Sequence, residues 1–111
     1  MRVEEIVGRC VRHQREELKM TQVELGNRLQ ALLGKRWTRQ AVSAVERGGR
    51  TLTSAELAAI ALALDTRPKS LLMPPLEVRQ VELSGGGVVQ VGEVTDFSVA
   101  DQLFEDLTSV A

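Results

Sequence analysis

Apolar residues recur every three or four positions through the first two thirds of the chain, which is the spacing of one helix face. The first stretch predicts a helix over about residues 2–18, carried by Val3, Ile6, Val7, Cys10, Val11 and Leu18. The second predicts a helix that begins at Thr21 and ends at Gly34, carried by Val23, Leu25, Leu29, Leu32 and Leu33. A third, shorter helix is predicted at about residues 38–47.

Capping residues mark the starts of these helices. Thr21 stands three positions before Glu24, and Thr53 stands three positions before Glu56. This spacing is typical of a capping box, in which the two side chains satisfy backbone N–H groups at a helix start. Thr38 is a further candidate cap, so the pattern predicts helices that open at Thr21, Thr38 and Thr53.

Glycine and proline mark the ends. Gly48 and Gly49 close the third helix, and a uniformly apolar fourth helix, "SAELAAIALAL", follows. A short fifth turn, "RPKSLL", contains Pro68, which is acceptable in a first helical turn. Pro74 and Pro75 then stop helical structure.

The periodicity changes after the double proline. Two Val-rich segments, "LEVRQVEL" and "VVQVGEV", flank the glycine-rich turn 84–87 and predict a β-hairpin over 76–94. The alternation slips at Gln80-Val81, which permits a bulge. The final segment, "SVADQLFEDLTSV", predicts an amphipathic acidic helix with an apolar stripe formed by Val99, Leu103, Phe104, Leu107 and Val110.

The predicted fold class is therefore mainly α, with a five-helix domain over residues 1–75 and a hairpin-plus-helix appendage over 76–111. The charge distribution supports this division. The first 75 residues carry 13 basic and eight acidic side chains, whereas the remaining 36 carry one basic and seven acidic side chains. Such asymmetry favours a nucleic-acid-facing half and an acidic half with another role. An acidic tail that serves only solubility is the alternative.

Several protein classes are disfavoured. The longest apolar run, "LAAIALALD", falls well short of the roughly 20 residues of a membrane helix. No signal peptide is evident, and the single cysteine fits a reducing cytoplasm. An enzyme is the least favoured class, because no nucleophile–base set or phosphate-binding glycine loop is present. Cys10 and His13 alone are weak metal ligands. No metal or cofactor is therefore predicted.

The third predicted helix has the layout of a helix that enters the major groove of DNA. Long hydrogen-bond donors, Arg39 and Gln40, stand in its first turn, and the small residues Ser43 and Ala44 follow one turn later. In a helix-turn-helix the second helix lies in the groove, and its first residues reach base edges. The simpler interpretation is that Arg39 and Gln40 are merely solvated.

Three segments, "REELKMTQVELGNRL", "WTRQAVSAVERG" and "LTSAELAAIALALDTRPKSLL", resemble the lambda-repressor/Cro-like helix-turn-helix regulators, or XRE family. The resemblance covers about residues 5–73. It implies a DNA-binding regulator, cytoplasmic and nucleoid-associated, that binds a pseudo-palindromic site in double-stranded DNA as a homodimer. The recognition helix would span about residues 38–47.

The resemblance also implies roles for individual residues. Base-reading positions correspond to Arg39, Gln40, Ser43 and Ala44. Phosphate-binding positions correspond to Gln22, Thr38, Arg47 and Arg50, with Lys35 and Arg36 as further candidates. The family's internal ion pair between the first and third helices corresponds to Arg15 and Glu46.

Two features depart from the family pattern. The segment "QALLGKRW" adds about six residues between the second and third helices, so we expect a longer second helix ended by Gly34, with Trp37 filling the core. Lys35 and Arg36 in this segment are either extra phosphate contacts or a solvated turn. Gly26 stands where the family usually has alanine, which suits close packing of the two helices.

A different class of function fits the acidic appendage. The chain could be an antitoxin or adaptor-type interaction protein that binds a protein partner through residues 76–111. The sequence leaves open the operator, the sign of regulation, the effector, and whether the hairpin pairs within one chain or between two.

Overall fold

The computed structural model describes residues 1–83 and 85–91. Five helices come first: α1 Val3–Glu17, α2 Gln22–Leu33, α3 Arg39–Glu46, α4 Ser54–Ala63 and α5 Pro68–Leu71. Two short strands follow, β1 Gln80–Glu82 and β2 Val88–Gln90. The structure confirms the predicted five-helix domain followed by a hairpin. The predicted helix over 98–110 lies outside the described residues.

The helices enclose one apolar core. α3 packs against both α1 and α2, while α4 packs against α2 and α5, and α5 also contacts α1. The largest fully buried side chains are those of Leu25, Leu29, Ile60, Leu64, Leu71, Val11 and Val42. The core is aliphatic apart from Trp37, as the low aromatic content of the chain requires. α3 packs on α1 and α2, and Val42 and Val45 are its buried residues.

The helix starts are built by the predicted caps. The Thr38 Oγ1 accepts a hydrogen bond from the Ala41 N–H at 3.1 Å and opens α3. At the start of α4, the Thr53 Oγ1 accepts from the Glu56 N–H at 3.1 Å, and the Glu56 Oε1 accepts from the Thr53 N–H at 2.9 Å. This reciprocal pair is a complete capping box.

Two sequence predictions for α2 need correction. The Thr21 Oγ1 accepts from the Glu24 N–H, but the Glu24 carboxylate contacts the Thr21 hydroxyl and not its backbone N–H, so the box is only half formed. Val23 and Leu32, which we expected on the apolar face, are each 50% exposed. Val23 lies 200° around the helix from Leu25 and faces outward, and Leu32 lies in the last turn.

Gly34 ends α2 as predicted. Its φ of 70° places it in the left-handed region, which favours glycine at the residue after a helix. The Gly34 N–H donates to the Gln30 carbonyl at 2.9 Å. α2 therefore stops abruptly, and the chain turns towards α3 through residues 35–38.

The hairpin pairs within one chain. β1 and β2 are antiparallel, with the register Gln80↔Gln90, Val81↔Val89 and Glu82↔Val88. The pairing is regular at Gln80-Val81, so no bulge forms there. β1 is shorter than predicted, because the chain makes a turn just after the double proline, closed by the bond from the Val78 N–H to the Pro75 carbonyl at 3.0 Å.

The start of the chain adds to the outer edge of β1. The Glu82 N–H donates to the Met1 carbonyl at 2.9 Å, and Arg2 pairs with Glu82 in a parallel bridge. β1 therefore lies between the segment at Met1-Arg2 and β2. This contact fixes the hairpin against the N-terminal end of α1. Within the described residues, no helix is long and apolar enough to cross a membrane.

Candidate nucleic-acid interface

The recognition helix is set by the segment that precedes it. Trp37 is 4% exposed and packs in the core, as the sequence predicts. Its backbone carbonyl passes so close to α2 that a Cβ built on Gly26 would stand 2.5 Å from the Trp37 oxygen. The extended α2–α3 connection therefore lies directly on α2, and only glycine at position 26 leaves room for it.

The two faces of α3 differ sharply. Val42 and Val45 are buried in the core at 1% and 3% exposure. Arg39 and Gln40 are exposed in the first turn. Ser43 and Ala44, the remaining predicted base-reading positions, are half-buried. The outer face of the helix thus has two long polar side chains at its N-terminal end and small residues behind them.

An open groove runs along this outer face. It is bounded by α3, by the start of α2 and by the end of α1, and its lining includes Arg39, Ser43, Arg47, Gln22, Arg12 and Lys19. The groove brings together four of the predicted DNA-contacting residues, Arg39, Ser43, Arg47 and Gln22. Arg12 and Lys19 add two basic residues that the sequence analysis did not assign. Lys19 stands two residues before the Thr21 cap, which is a signal that could have found it, whereas Arg12 lies within α1 and carries no such signal.

One ion pair joins α1 to α3 at the floor of this groove. The Arg15 Nε donates to Glu46 Oε2 at 2.6 Å, and Arg15 Nη2 donates to Glu46 Oε1 at 3.0 Å. The side chains are 12% and 4% exposed. Hydrogen bonding to Glu46 raises the pKa of Arg15 above its ordinary value. The pair is charged and geometrically fixed, as planar two-point Arg–carboxylate contacts are.

Further hydrogen bonds extend this pair to α2. Arg15 Nη1 donates to the Met20 carbonyl at 2.8 Å, and Gln22 Nε2 donates to Glu46 Oε1 at 3.1 Å. The Gln22 side chain therefore points inward at Glu46. Gln22 is also the first residue of α2, and backbone N–H groups at a helix start can bind an anion. Three helices meet at one carboxylate below the groove.

The basic residues around α3 occupy different surroundings. Arg47 is exposed, and its Nε donates to the Ser43 carbonyl at 3.3 Å. Arg36 is exposed in the connection before α3. Lys35 and Arg50 instead contact Glu56, with N–O distances of 3.4 Å and 2.7 Å. In this structure these two candidate phosphate ligands are therefore paired with an acid.

Glu56 was assigned no role beyond capping α4. It is buried, with the whole residue 5% exposed. Arg50 lies between its carboxylate and the Trp37 ring, 4.2 Å from the ring centroid. The sequence carries no pattern that would bring Lys35 to Arg50 and Glu56, because Lys35 belongs to the unusual α2–α3 connection.

Close packing of α1 on α3 was also not predicted. A Cβ built on Gly8 would collide with the Val45 carbonyl and stand 2.7 Å from the Glu46 carbonyl. Glycine at position 8 therefore allows the C-terminal end of α3 to lie directly against α1. This brings Arg15 and Glu46 within bonding distance.

A short capped helix, α3, lies along a basic groove and is supported by α1 and α2. This arrangement is typical of helix-turn-helix DNA-binding regulators. The chain belongs to the HTH_3 helix-turn-helix family, an XRE-type family that matches residues 11–71. It is a DNA-binding transcriptional regulator. No curated protein matches the chain.

Two solved structures are similar to this chain. A hypothetical transcription factor, NHTF, from Neisseria is 27% identical, with a TM-score of 0.58 over 68% of this chain and 79% of that chain. The restriction-modification controller protein C.AhdI from Aeromonas hydrophila is 29% identical, with a TM-score of 0.49 over 61% of this chain and 94% of that chain.

Proposed function

We propose that the protein is a sequence-specific repressor that places α3 in the major groove of DNA. The observation that carries the proposal is the sidedness of α3, with Val42 and Val45 buried and Arg39 and Gln40 exposed at its N-terminal end. Arginine can bind guanine and glutamine can bind adenine through two hydrogen bonds each. The small Ser43 and Ala44 allow the helix backbone to approach the bases.

Phosphate contacts would surround this helix. We assign them to Arg47 and Arg36, which are exposed on either side of α3, and to the helix starts at Gln22 and Thr38. Arg12 and Lys19 extend the same basic surface along the groove. Phosphate contacts carry little sequence information, but they fix the register and supply salt-sensitive affinity.

We further propose that the protein binds a pseudo-palindromic operator as a homodimer through residues 76–111. The described part of this appendage carries exposed apolar side chains, with Leu76 86% and Val88 54% exposed. A single helix-turn-helix unit covers one half-site, so a dimer doubles the contacts. The same exposed residues would suit a protein partner, as in an antitoxin or adaptor.

Selection of bound duplexes from random DNA tests these proposals, with the mass of the protein in solution measured alongside. We expect an enriched inverted repeat whose half-sites lie about 34 Å, one helical turn, apart, and a mass of two chains. Failure to enrich any sequence would reject sequence-specific binding. An enriched single half-site with a monomeric mass would reject the dimer, and co-purification of a second protein would favour the adaptor.

A further inference from the structure

One buried carboxylate contacts the chain on both sides of the recognition helix. Lys35 belongs to the connection that leads into α3, and Arg50 belongs to the connection that leaves it. Both contact the same atom, Glu56 Oε2 on α4, at 3.4 Å and 2.7 Å. Glu56 therefore joins the two segments that flank α3 to α4, a helix that does not line the groove.

The contacts exceed what a helix cap needs. Glu56 Oε1 completes the capping box by accepting from the Thr53 N–H, and this leaves Oε2 for the two cations. Glu24 occupies the same third helical position of α2, yet it is exposed and, in the described residues, contacts Thr21 but no basic side chain. Capping alone thus explains neither the burial of Glu56 nor its cationic partners.

Because Glu56 is buried, its carboxylate needs cationic partners in the folded state. A buried carboxylate without partners is strongly unfavourable, so Glu56 and its cations must stay together in the folded state. The pKa of Glu56 is lowered by the Thr53 hydrogen bond and by the charges of Arg50 and Lys35, in that order of effect. Trp37 adds a second restraint, because Arg50 also stacks on its ring at 4.2 Å.

The α2–α3 connection is anchored at Trp37, and Glu56 adds a further restraint at Lys35. Residues 35–38 connect α3 to α2 without regular structure, and Lys35 itself is 60% exposed. We propose that Glu56 is a positioning residue for DNA recognition, which fixes the angle of α3 by holding Lys35 before it and Arg50 after it. This inference rests on the proposed sequence-specific function.

The test compares affinity for the selected operator with affinity for a random duplex, at one salt concentration. Glu56→Gln removes the charge but keeps an oxygen for the Thr53 N–H. We expect operator affinity to fall about tenfold. Affinity for the random duplex should be unchanged or higher, because two cations are released towards phosphates. Glu24→Gln, the matched control, makes the same charge change at the same helical position and should leave the ratio of the two affinities unchanged.

Two other outcomes would overturn the inference. Equal losses on both duplexes would mean that Glu56 only supports the fold. Equal gains on both would mean that Glu56 competes with phosphate for Lys35 and Arg50 and does not position α3. If the wild-type protein prefers no sequence, the proposed function itself is rejected. If Glu56→Gln keeps the operator preference of the wild type, only the positioning role is rejected.

A second variant keeps the test valid if Glu56→Gln fails to fold, which circular dichroism would show. Lys35→Met changes an exposed side chain and leaves Glu56 paired with Arg50. We expect it to lower the operator-to-random ratio. If Lys35→Met weakens both duplexes equally, Lys35 is a phosphate contact only and the positioning role is rejected.

Discussion

Arg15 and Glu46 face each other across the α1–α3 interface, joined by two hydrogen bonds of 2.6 Å and 3.0 Å. Glu46 is the last residue of α3, so the pair fixes the end of the helix opposite to Arg39. Gln22 donates to the same carboxylate from α2. The ion pair thus stabilises the fold and also holds the recognition helix in its orientation.

Removing one partner of this pair should be costly. Arg15→Met would leave the Glu46 carboxylate, 4% exposed, with the Gln22 amide alone. We expect unfolding free energy to fall by about 3 kcal/mol. Urea titration followed by fluorescence of Trp37, the single tryptophan, measures this loss.

The exposed pair of Arg12 and Glu16 provides the control. Its N–O distance is 2.8 Å, but the side chains are 66% and 55% exposed. Arg12→Met should cost less than about 1 kcal/mol. The double variant Arg15→Met/Glu46→Met should be more stable than Arg15→Met alone, because no unpaired charge remains buried. A double variant as unstable as the single one would contradict this account.

The sequence predicts most of the helical fold because its signals are local. Helix spacing, the Thr38 and Thr53 caps, and Gly34 at the end of α2 each depend on a few neighbouring residues. Side-chain exposure was less predictable. Val23 and Leu32 are apolar but face outward, because the pattern alone does not show where a helix leaves the core.

Local patterns do not predict the contacts around α3 that join residues distant in sequence. Arg15–Glu46 was expected only from a family resemblance. The sequence pattern does not predict the cluster of Lys35, Arg50 and Glu56, and the family resemblance assigns Lys35 and Arg50 to phosphate binding. The contact of Lys35 with Glu56 depends on the course of the α2–α3 connection, in which the Trp37 carbonyl lies against Gly26 of α2.

Gly26 should not tolerate alanine. In an ordinary helix interior, glycine to alanine gains about 1 kcal/mol. Here the added Cβ would stand 2.5 Å from the Trp37 carbonyl, which is backbone and cannot rotate away. We expect Gly26→Ala to destabilise the fold by about 1–3 kcal/mol, measured by urea titration.

Asn27 lies next to Gly26 on α2, but it is exposed. Asn27→Ala should therefore be neutral or slightly stabilising, as helix propensity requires. If Gly26→Ala were as stable as Asn27→Ala, the connection before α3 would not lie against α2 as described.

Acidification should remove the contribution of Glu56. Its pKa is lower in the folded state than in the unfolded chain, so its ionisation stabilises the fold above about pH 4.3. This contribution is lost as the pH falls through the folded pKa. The stability difference between the wild type and Glu56→Gln should therefore be greatest near neutral pH and shrink below about pH 4.3.

Urea titrations at a series of pH values measure this difference. Glu24→Gln again serves as the control, since its carboxylate is exposed and contacts a hydroxyl group. We expect a smaller and flatter difference for it. A Glu56→Gln difference that stays constant from neutral to acid pH would show that the ion pairs of Glu56 add nothing to stability.

Arg39 and Arg47 should separate base reading from phosphate binding. Arg39 is exposed in the first turn of α3, whereas Arg47 follows its last residue and lies over the Ser43 carbonyl. Arg39→Ala should cost about 1–3 kcal/mol on the preferred operator and relax the preference at one base pair.

Arg47→Ala should weaken operator and random DNA alike and reduce the slope of log affinity against log salt by about 1. Titrations with both duplexes at several salt concentrations distinguish the two effects. Equal losses on operator and random DNA for both variants would mean that α3 does not read bases through Arg39.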